Sequence, residues 1–197
     1  MDKVISDSIG AFYHHYPRVA AVVTAHAGDR DNAMTAAWHT PVSFKPPLYG
    51  VAVLPTRFTY ELIAESRQFG INFLPDTKAD LVAAIGGSKG SEIDKFQIFK
   101  IVRDNPEKIA VPILKDAYAA YECQLVDDRP YGDHRLLVGE VTAVHYLGEA
   151  FMEDGTLDLE KVNPVLYMGS EHYVGLKGCT VRTLNREFCA ECLKAGL

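Results

Sequence analysis

The sequence predicts a mainly β protein, a β-barrel with two or three helices inserted between its strands. In the first half, short apolar runs rich in valine and alanine alternate with turn signals, which is typical of buried strands joined by hairpins. In the second half, apolar and polar residues alternate over 121–125 and an apolar-rich run covers 136–147, which predicts a long antiparallel pair. Gly139 interrupts the second run and indicates a bulge or a close backbone approach, as expected where a strand bends into a barrel.

The other predicted strands are short and bounded by turn residues. Strands over 19–27 and 33–38 flank a polar turn and form a hairpin. An uncharged run over 48–54 lies between prolines and is short enough for a buried strand, and a further strand covers 69–74. A turn-rich segment over 127–133 is expected to join the long antiparallel pair.

Two inserted helices are predicted from their start and stop signals. The first begins at Thr56 or Arg57, after which apolar side chains recur on one helical face. The second can be capped by Asp76 or Thr77 and ends before the glycine pair at 86–87, since glycine is preferred just past a helix.

Composition excludes several classes of protein. Asp and Glu number 26 and Lys and Arg 20, which gives a net charge of −6, so there is no excess of positive charge to bind nucleic acid. A length of 197 residues with 48% hydrophobic content fits a single domain over 1–197 with a sizeable core. The longest stretch without a charged residue, 32–44, is shorter than the about 20 apolar residues of a membrane-spanning helix, so no membrane partner is expected.

The first residues are charged and lack an apolar run before a cleavage site, so no secretory signal is predicted. The expected location is the cytoplasm, where the four cysteines should be reduced thiols rather than a disulfide framework.

The segment over 32–43 is dense in small residues and hydroxyls. Small side chains let a flat ligand approach the main chain, Thr35 and Ser43 offer donors, and Trp38 can cover a ring. The same composition is also typical of a tightly packed strand beside a turn, and the residues alone leave both interpretations open.

An arginine and two hydroxyls lie where the first helix begins, at residues 56–59. Free backbone amides, the helix dipole and the guanidinium of Arg57 would together favour an anion. The alternative is an ordinary capped helix with a surface arginine.

Six sequence elements follow one another in a characteristic order and spacing. They are Asn32-x-Met34-Thr35-Ala36-Ala37-Trp38-x-x-Pro41-Val42-Ser43, Pro46-Pro47-Leu48, Arg57-x-Thr59, Phe69-Gly70-Ile71-Asn72-Phe73-Leu74, Asp94-Lys95-Phe96, and Gly132-Asp133-His134 with Val138-Gly139-Glu140-Val141. Together they resemble the flavin reductase-like, FMN-binding split-barrel family, which includes flavoredoxin and archaeal ferric reductase, over about residues 19–173.

The resemblance implies a six-stranded Greek-key split barrel that forms a homodimer, with FMN bound on each subunit close to the partner chain. It further implies an FMN-dependent oxidoreductase that passes electrons from NAD(P)H to free flavin, ferric complexes or another acceptor. Two alternatives remain: a flavoredoxin-like electron carrier between protein partners, and a non-catalytic flavin-binding or haem-binding module. No dinucleotide fingerprint is present, so the sequence offers no residue that would choose between NADH and NADPH.

The resemblance also implies which residues hold the cofactor. The 34–37 main chain and Trp38 would lie along the isoalloxazine, Arg57 and Thr59 would hold the phosphate, and the loop 87–90 with Lys95 would form a second contact segment. Lys95 would neutralise phosphate or reduced flavin, or else be an exposed lysine. The implied cofactor-binding residues are Asn32, Met34, Thr35, Ala36, Ala37, Trp38, Ser43, Pro55, Arg57, Thr59, Ser88, Lys95 and Phe96.

His134 is the one predicted catalytic residue, in an orienting role beside nicotinamide and flavin. Hydride transfer at carbon needs no protein acid or base, which favours orientation over proton transfer. The alternative is a turn histidine bonded to Asp133.

The carboxyl end, about 175–197, is predicted to be a cysteine-containing extension. Cys189 and Cys192 have Cys-x-x-Cys spacing, and Cys179 lies ten residues before them. Ordinary thiols, a redox pair, and a zinc site that uses the three cysteines together with His172 are each compatible with this pattern.

Overall fold

The computed structural model describes residues 3–176 and 178. Within this part of the chain there are three α-helices: Phe58–Ser66 (α1), Ala79–Gly86 (α2) and Lys95–Ile98 (α3). The strands are Arg18–Val19 (β1), Ala21–Ala27 (β2), Arg30–Ala36 (β3), His39–Phe44 (β4), Pro47–Val53 (β5), Gln68–Phe73 (β6), Arg103–Asp104 (β7), Ile113–Leu114 (β8), Ala119–Tyr131 (β9), His134–Tyr146 (β10), Leu166–Gly169 (β11) and His172–Val174 (β12). The mainly β prediction is therefore confirmed.

The main sheet is antiparallel, with strand order β3-β2-β6-β9-β10-β5-β4. The two end strands, β3 and β4, are consecutive in the chain, and the β4–β5 ladder continues towards β3 through a 2.8 Å hydrogen bond from the amide of Ala52 to the carbonyl oxygen of Trp38. The sheet has seven strands rather than the six that the resemblance implies, because β4 forms a hairpin with β5. Along its outer edge, β3 has no strand partner among the described residues.

The barrel interior is filled by apolar side chains from β2, β5, β6, β9 and β10. Gly139 lies at a register shift in β10, and a Cβ there would overlap Phe69 and Cys123, so both the predicted bulge and the close approach are found. Cys123 is a free buried thiol whose pKa burial raises to about 12. A second apolar cluster packs α2 and α3 against β2 and β3.

A small sheet with strand order β1-β11-β12 lies beside the barrel. It joins the chain near its beginning to residues almost 150 positions later, since Arg18 pairs with Tyr167. The ring centroids of Tyr13 and Tyr167 are 6.2 Å apart. This sheet carries an amino-terminal aromatic segment and the β11–β12 hairpin to the edge of the barrel where the candidate site is found.

Two details of the predicted elements are wrong. The segment 127–133 is mostly strand, with the turn confined to Gly132 and Asp133, because Asp128 and Arg135 pair across the strands at 2.6 Å and stabilise charged residues in the ladder. The second helix begins at Ala79 after a 3₁₀ turn over Asp76–Lys78, and no side chain caps it.

None of the helices described here has the length and apolar character needed to cross a membrane.

Candidate functional site

A cavity of about 290 Å³ lies between the outer edge of β3, the start of α1 and the loop after α2. We call it the cationic cavity, because three basic residues and no acidic residue of the described part of the chain line it. Seven of the predicted cofactor-binding residues meet there. The lining residues are Asn32, Met34, Thr35, Thr56, Arg57, Phe58, Thr59, Ile85, Gly86, Ser88, Lys89, Gly90, Ser91 and Lys95.

Lys95 is the buried cation of this cavity. It is only 3% exposed, and its Nζ donates to the carbonyl oxygens of Ala33 at 2.9 Å and Ile85 at 2.7 Å. Within the described residues no carboxylate forms a salt bridge with it. Burial and then the charge of Arg57 lower the pKa of Lys95 to about 8. A buried ammonium with one N–H to spare and no counterion is well suited to an anion.

Arg57 is exposed at the N-cap position of α1 and lines the same cavity. No side chain among the residues described caps the helix, so its first amides are available to a ligand. Lys89, the third basic residue, is paired with Glu92 at 2.8 Å on the surface. Arg57, Lys95 and the α1 start therefore form a site for a phosphate-like group.

Thr59 and Asn32 lie at the floor of the cationic cavity. Both are buried, and Asn32 Nδ2 donates to Thr59 Oγ1 at 2.8 Å, which leaves the hydroxyl proton of Thr59 free to donate to a ligand. A Cβ at Gly90 would overlap the Asn32 side chain, so this glycine permits the loop to close over the cavity.

A second cavity, of about 260 Å³, continues the cleft past Met34, Thr35 and Arg57, which line both. We call it the aromatic cavity, because tyrosine, tryptophan and histidine rings form its walls. Its lining residues are Ala11, Tyr13, Tyr16, Met34, Thr35, Ala36, Ala37, Trp38, Ala52, Val53, Leu54, Arg57, His134 and Tyr167.

The rings of the aromatic cavity hold one another in place. Trp38 Nε1 donates to the Tyr16 hydroxyl at 3.0 Å, and the Trp38 and His134 ring centroids are 4.8 Å apart. His134 Nδ1 lies 2.7 Å from Asp133 Oδ1, a contact that lowers the pKa of Asp133. His134 thus makes the structural contact proposed for it and also faces the cleft.

The main chain of β3 is the wall common to both cavities. The carbonyl oxygen of Ala33 faces outward, since Lys95 binds it there rather than a strand partner. In an antiparallel strand the outward-facing groups alternate, so Thr35 presents the next free N–H and C=O. Its side chain is turned to α2, where Oγ1 donates to the Val82 carbonyl at 2.6 Å.

Three predicted cofactor-binding residues lie elsewhere. Ser43 accepts a hydrogen bond from the Lys45 amide in the β4–β5 turn at 3.2 Å, and Pro55 is an exposed turn residue. Phe96 is buried in the second apolar cluster, with the Arg103 guanidinium 4.2 Å from its ring centroid. None of them lines either cavity.

One family model matches most of this chain. The model described as "Flavin reductase like domain" matches residues 13–177. The chain belongs to the flavin reductase-like family. The resemblance seen in the sequence is thereby confirmed.

Curated relatives match most of this chain. An uncharacterized protein of Aeropyrum pernix is 36% identical over 158 residues, which cover 78% of this chain and 58% of that protein. The chain thus matches just over half of that relative's length.

Solved structures agree on the fold. An FMN-binding protein from Thermus thermophilus, solved with bound 1-cyclohex-2-enone, is 35% identical with a TM-score of 0.82, covering 93% of this chain and 99% of that one. A putative flavin reductase with a split barrel domain from Shewanella frigidimarina has a TM-score of 0.77 at 19% identity, covering 86% of each chain. The split-barrel prediction is confirmed.

The site contains residues that sequence reasoning missed. Ala11, Tyr13 and Tyr16 come from the amino-terminal segment, and Tyr167 comes from β11. The dense aromatic run at 12–16 is the one sequence feature that indicates a role for this amino-terminal segment. No local sequence feature indicates Tyr167, because only the pairing of the small sheet brings this residue to the cleft.

The predicted cysteine site lies outside the described residues. Cys179, Cys189 and Cys192 fall there, together with almost all of the 175–197 extension. Among the residues that are described, no group of histidine, cysteine, aspartate or glutamate side chains could hold a metal ion.

Proposed function

We propose that this protein is an FMN-dependent oxidoreductase that takes electrons from NAD(P)H and passes them to free flavin, a ferric complex or another small acceptor. The observation that carries the proposal is the pairing of two continuous cavities. The cationic cavity contains a buried lysine that no carboxylate pairs with in the part of the chain that the structure describes, and flat rings form the walls of the aromatic cavity beside it. One fits the phosphate of FMN and the other fits planar rings.

The donor set fits FMN at each end. Arg57, Lys95, Thr59 and the first amides of α1 would hold the phosphate by charge-assisted hydrogen bonds. The main chain at Thr35 would donate to the polar edge of the isoalloxazine. When bound, FMN supplies the hydride acceptor and the electron store of the reaction.

The protein's own residues would orient the reactants and exclude water. Trp38, Tyr16 and His134 form a wall against which a nicotinamide or a planar acceptor can stack. Because the reacting atoms would be held in contact, the reaction step would avoid the loss of translational and rotational entropy that a bimolecular encounter requires. The related Thermus thermophilus protein was solved with a cyclic enone, which supports a small planar acceptor for this chain.

We also propose a homodimer, as the family resemblance implies. Exposed apolar side chains support a partner surface, among them Phe44 at 94% and Tyr146 at 64% exposure. Light scattering at micromolar concentration should give about twice the 21.8 kDa of one chain. A value near one chain, with FMN still bound, would contradict the dimer.

The proposed function is tested with the purified protein under anaerobic conditions. We expect copurifying or titrated FMN, and bleaching of its visible band when NADH or NADPH is added in a stopped-flow instrument. If neither nucleotide bleaches the FMN band but a reduced protein donor such as ferredoxin bleaches it quickly, the protein is an electron carrier rather than a reductase. Absence of FMN binding would overturn both.

A further inference from the structure

A third cavity, of about 440 Å³, adjoins both of the others, since Thr35 lines all three cavities and Gly86 also lines the cationic cavity. We call it the tyrosine cavity. It shares Thr35, Ala37 and Tyr167 with the aromatic cavity, so a long ligand with one end in the aromatic cavity can extend into it. Its other lining residues are Ala83, Gly86, Gly87, Glu171 and Tyr173.

The tyrosine cavity offers flat apolar faces and one carboxylate. The ring centroids of Tyr167 and Tyr173 are 5.2 Å apart, with 50° between their planes. Glu171 is exposed and lies near the Tyr173 phenol, whose pKa is raised by burial and then by the charge of Glu171. Aromatic faces suit a purine, and a carboxylate acceptor suits the two hydroxyls of a ribose.

The charge of this cavity is opposite to that of the cationic cavity. Glu171 is the one charged residue among those described along its wall. Lys95, the buried cation, lines the cationic cavity and is held by two carbonyl oxygens. A phosphate would therefore be favoured beside Lys95 in the cationic cavity and disfavoured beside Glu171.

The backbone that carries Glu171 is in an uncommon conformation. Ser170 and Glu171 have φ angles of 48° and 65° in the β11–β12 turn, a left-handed pair in which neither residue is glycine. These angles are those of the two-residue hairpin loop that joins β11 to β12, since Gly169 pairs with His172. Here the turn presents Glu171 at the cavity wall.

We propose that the tyrosine cavity binds the adenosine half of the nicotinamide cofactor and that Glu171 makes the protein prefer NADH to NADPH. This inference rests on the proposed function. The purine would lie on Tyr167 and Tyr173, and the ribose hydroxyls would donate to Glu171. The extra phosphate of NADPH on that ribose would instead meet the carboxylate as a like charge.

The first test compares kcat/KM for reduction of bound FMN by NADH and by NADPH. We expect the wild type to favour NADH by about tenfold, the size of one unfavourable charge contact in a partly exposed site. Glu171→Gln should bring the ratio near one, and Glu171→Arg should reverse it. Glu160→Gln, an exposed carboxylate outside the cavity, should leave it unchanged.

A second test measures binding without turnover. Calorimetry on the FMN-loaded protein should show tighter binding of 5′-AMP than of adenosine 2′,5′-bisphosphate, and Glu171→Gln should remove the difference. Equal binding of the two adenosine nucleotides in the wild type and in the variants would overturn the inference. Loss of FMN affinity in the Glu171 variants would also overturn it, because the tyrosine cavity would then hold the flavin ring. If neither nucleotide reduces FMN, the proposed function fails, and the calorimetric comparison still decides whether this cavity binds adenosine.

Discussion

Lys95 Nζ lies 2.9 Å from the carbonyl oxygen of Ala33, a residue 62 positions earlier in the chain. The same nitrogen binds the carbonyl oxygen of Ile85 in α2. One buried ammonium therefore ties the edge strand β3 to the helix packed against it and faces the cationic cavity. The fold and the proposed phosphate site depend on the same side chain.

Arg57→Ala should weaken FMN binding by about 10- to 100-fold, because a phosphate loses one or two charge-assisted hydrogen bonds. The variant should purify pale. Fluorescence titration of the apoprotein with FMN measures the change, and Arg129→Ala, an exposed arginine paired with Asp127, is the matched control. An unchanged affinity in Arg57→Ala would mean that the phosphate binds elsewhere.

FMN affinity should fall as pH rises through about 8. The pKa of Lys95 is lowered to about 8 by burial and by Arg57, so in the apoprotein the ammonium is present below that pH and lost above it. The phosphate of FMN is already a dianion above neutral pH, so the expected change in affinity in this window comes from Lys95.

Titrations of FMN at intervals from about pH 7 to 9.5 test this dependence, with an expected weakening of about tenfold for loss of one charged partner. Lys95→Met should bind FMN weakly at every pH, with a flat profile. A flat wild-type profile would show that Lys95 does not contact the bound anion.

The local part of the site could be predicted from sequence, whereas its long-range part could not. Met34, Thr35 and Arg57 lie in short segments whose small residues, hydroxyls and helix start already indicate ligand contacts. Tyr16 and Tyr167 come together only through the small β1-β11-β12 sheet, and no local pattern specifies that pairing.

The positions of some charged residues could not be predicted from the local sequence either. Lys95 is buried although lysine is mostly exposed in proteins, because two main-chain carbonyls receive its ammonium. Asp128 resembles a turn residue in sequence but lies within β9, paired with Arg135. In both cases a distant partner outweighs the local preference of the residue.

His134→Ala should slow reduction of bound FMN by NAD(P)H by several-fold without abolishing it. The His134 ring lies tilted against Trp38 and would orient the nicotinamide, while the hydride itself needs no protein acid. Anaerobic stopped-flow bleaching gives the rate, and an unchanged FMN affinity serves as the internal control. Complete loss of reduction with intact FMN binding would assign His134 a chemical step rather than orientation.

Glu122 is a fully buried carboxylate on β9. It accepts hydrogen bonds from the amides of Glu107, Lys108 and Ile109, and His145 Nε2 lies 2.5 Å from Oε1. Burial alone would raise the pKa of Glu122, but these contacts hold it below its usual value. The ionised carboxylate therefore fixes the loop around 107–109 against the barrel.

A carboxyl group with a lowered pKa in the folded state stabilises the fold above the pKa of the unfolded chain, about 4.3, and loses that contribution as pH falls through the folded value. Glu122→Gln should lower the free energy of unfolding at pH 7 by about 2 to 4 kcal/mol, since an amide cannot accept all of these hydrogen bonds. Its stability should also fall less on acidification than that of the wild type. Urea unfolding at pH 7 and at pH 4 measures both effects, with Glu140→Gln, an exposed carboxylate on β10, as control. Equal stability of Glu122→Gln and wild type at pH 7 would mean that the loop does not depend on this carboxylate.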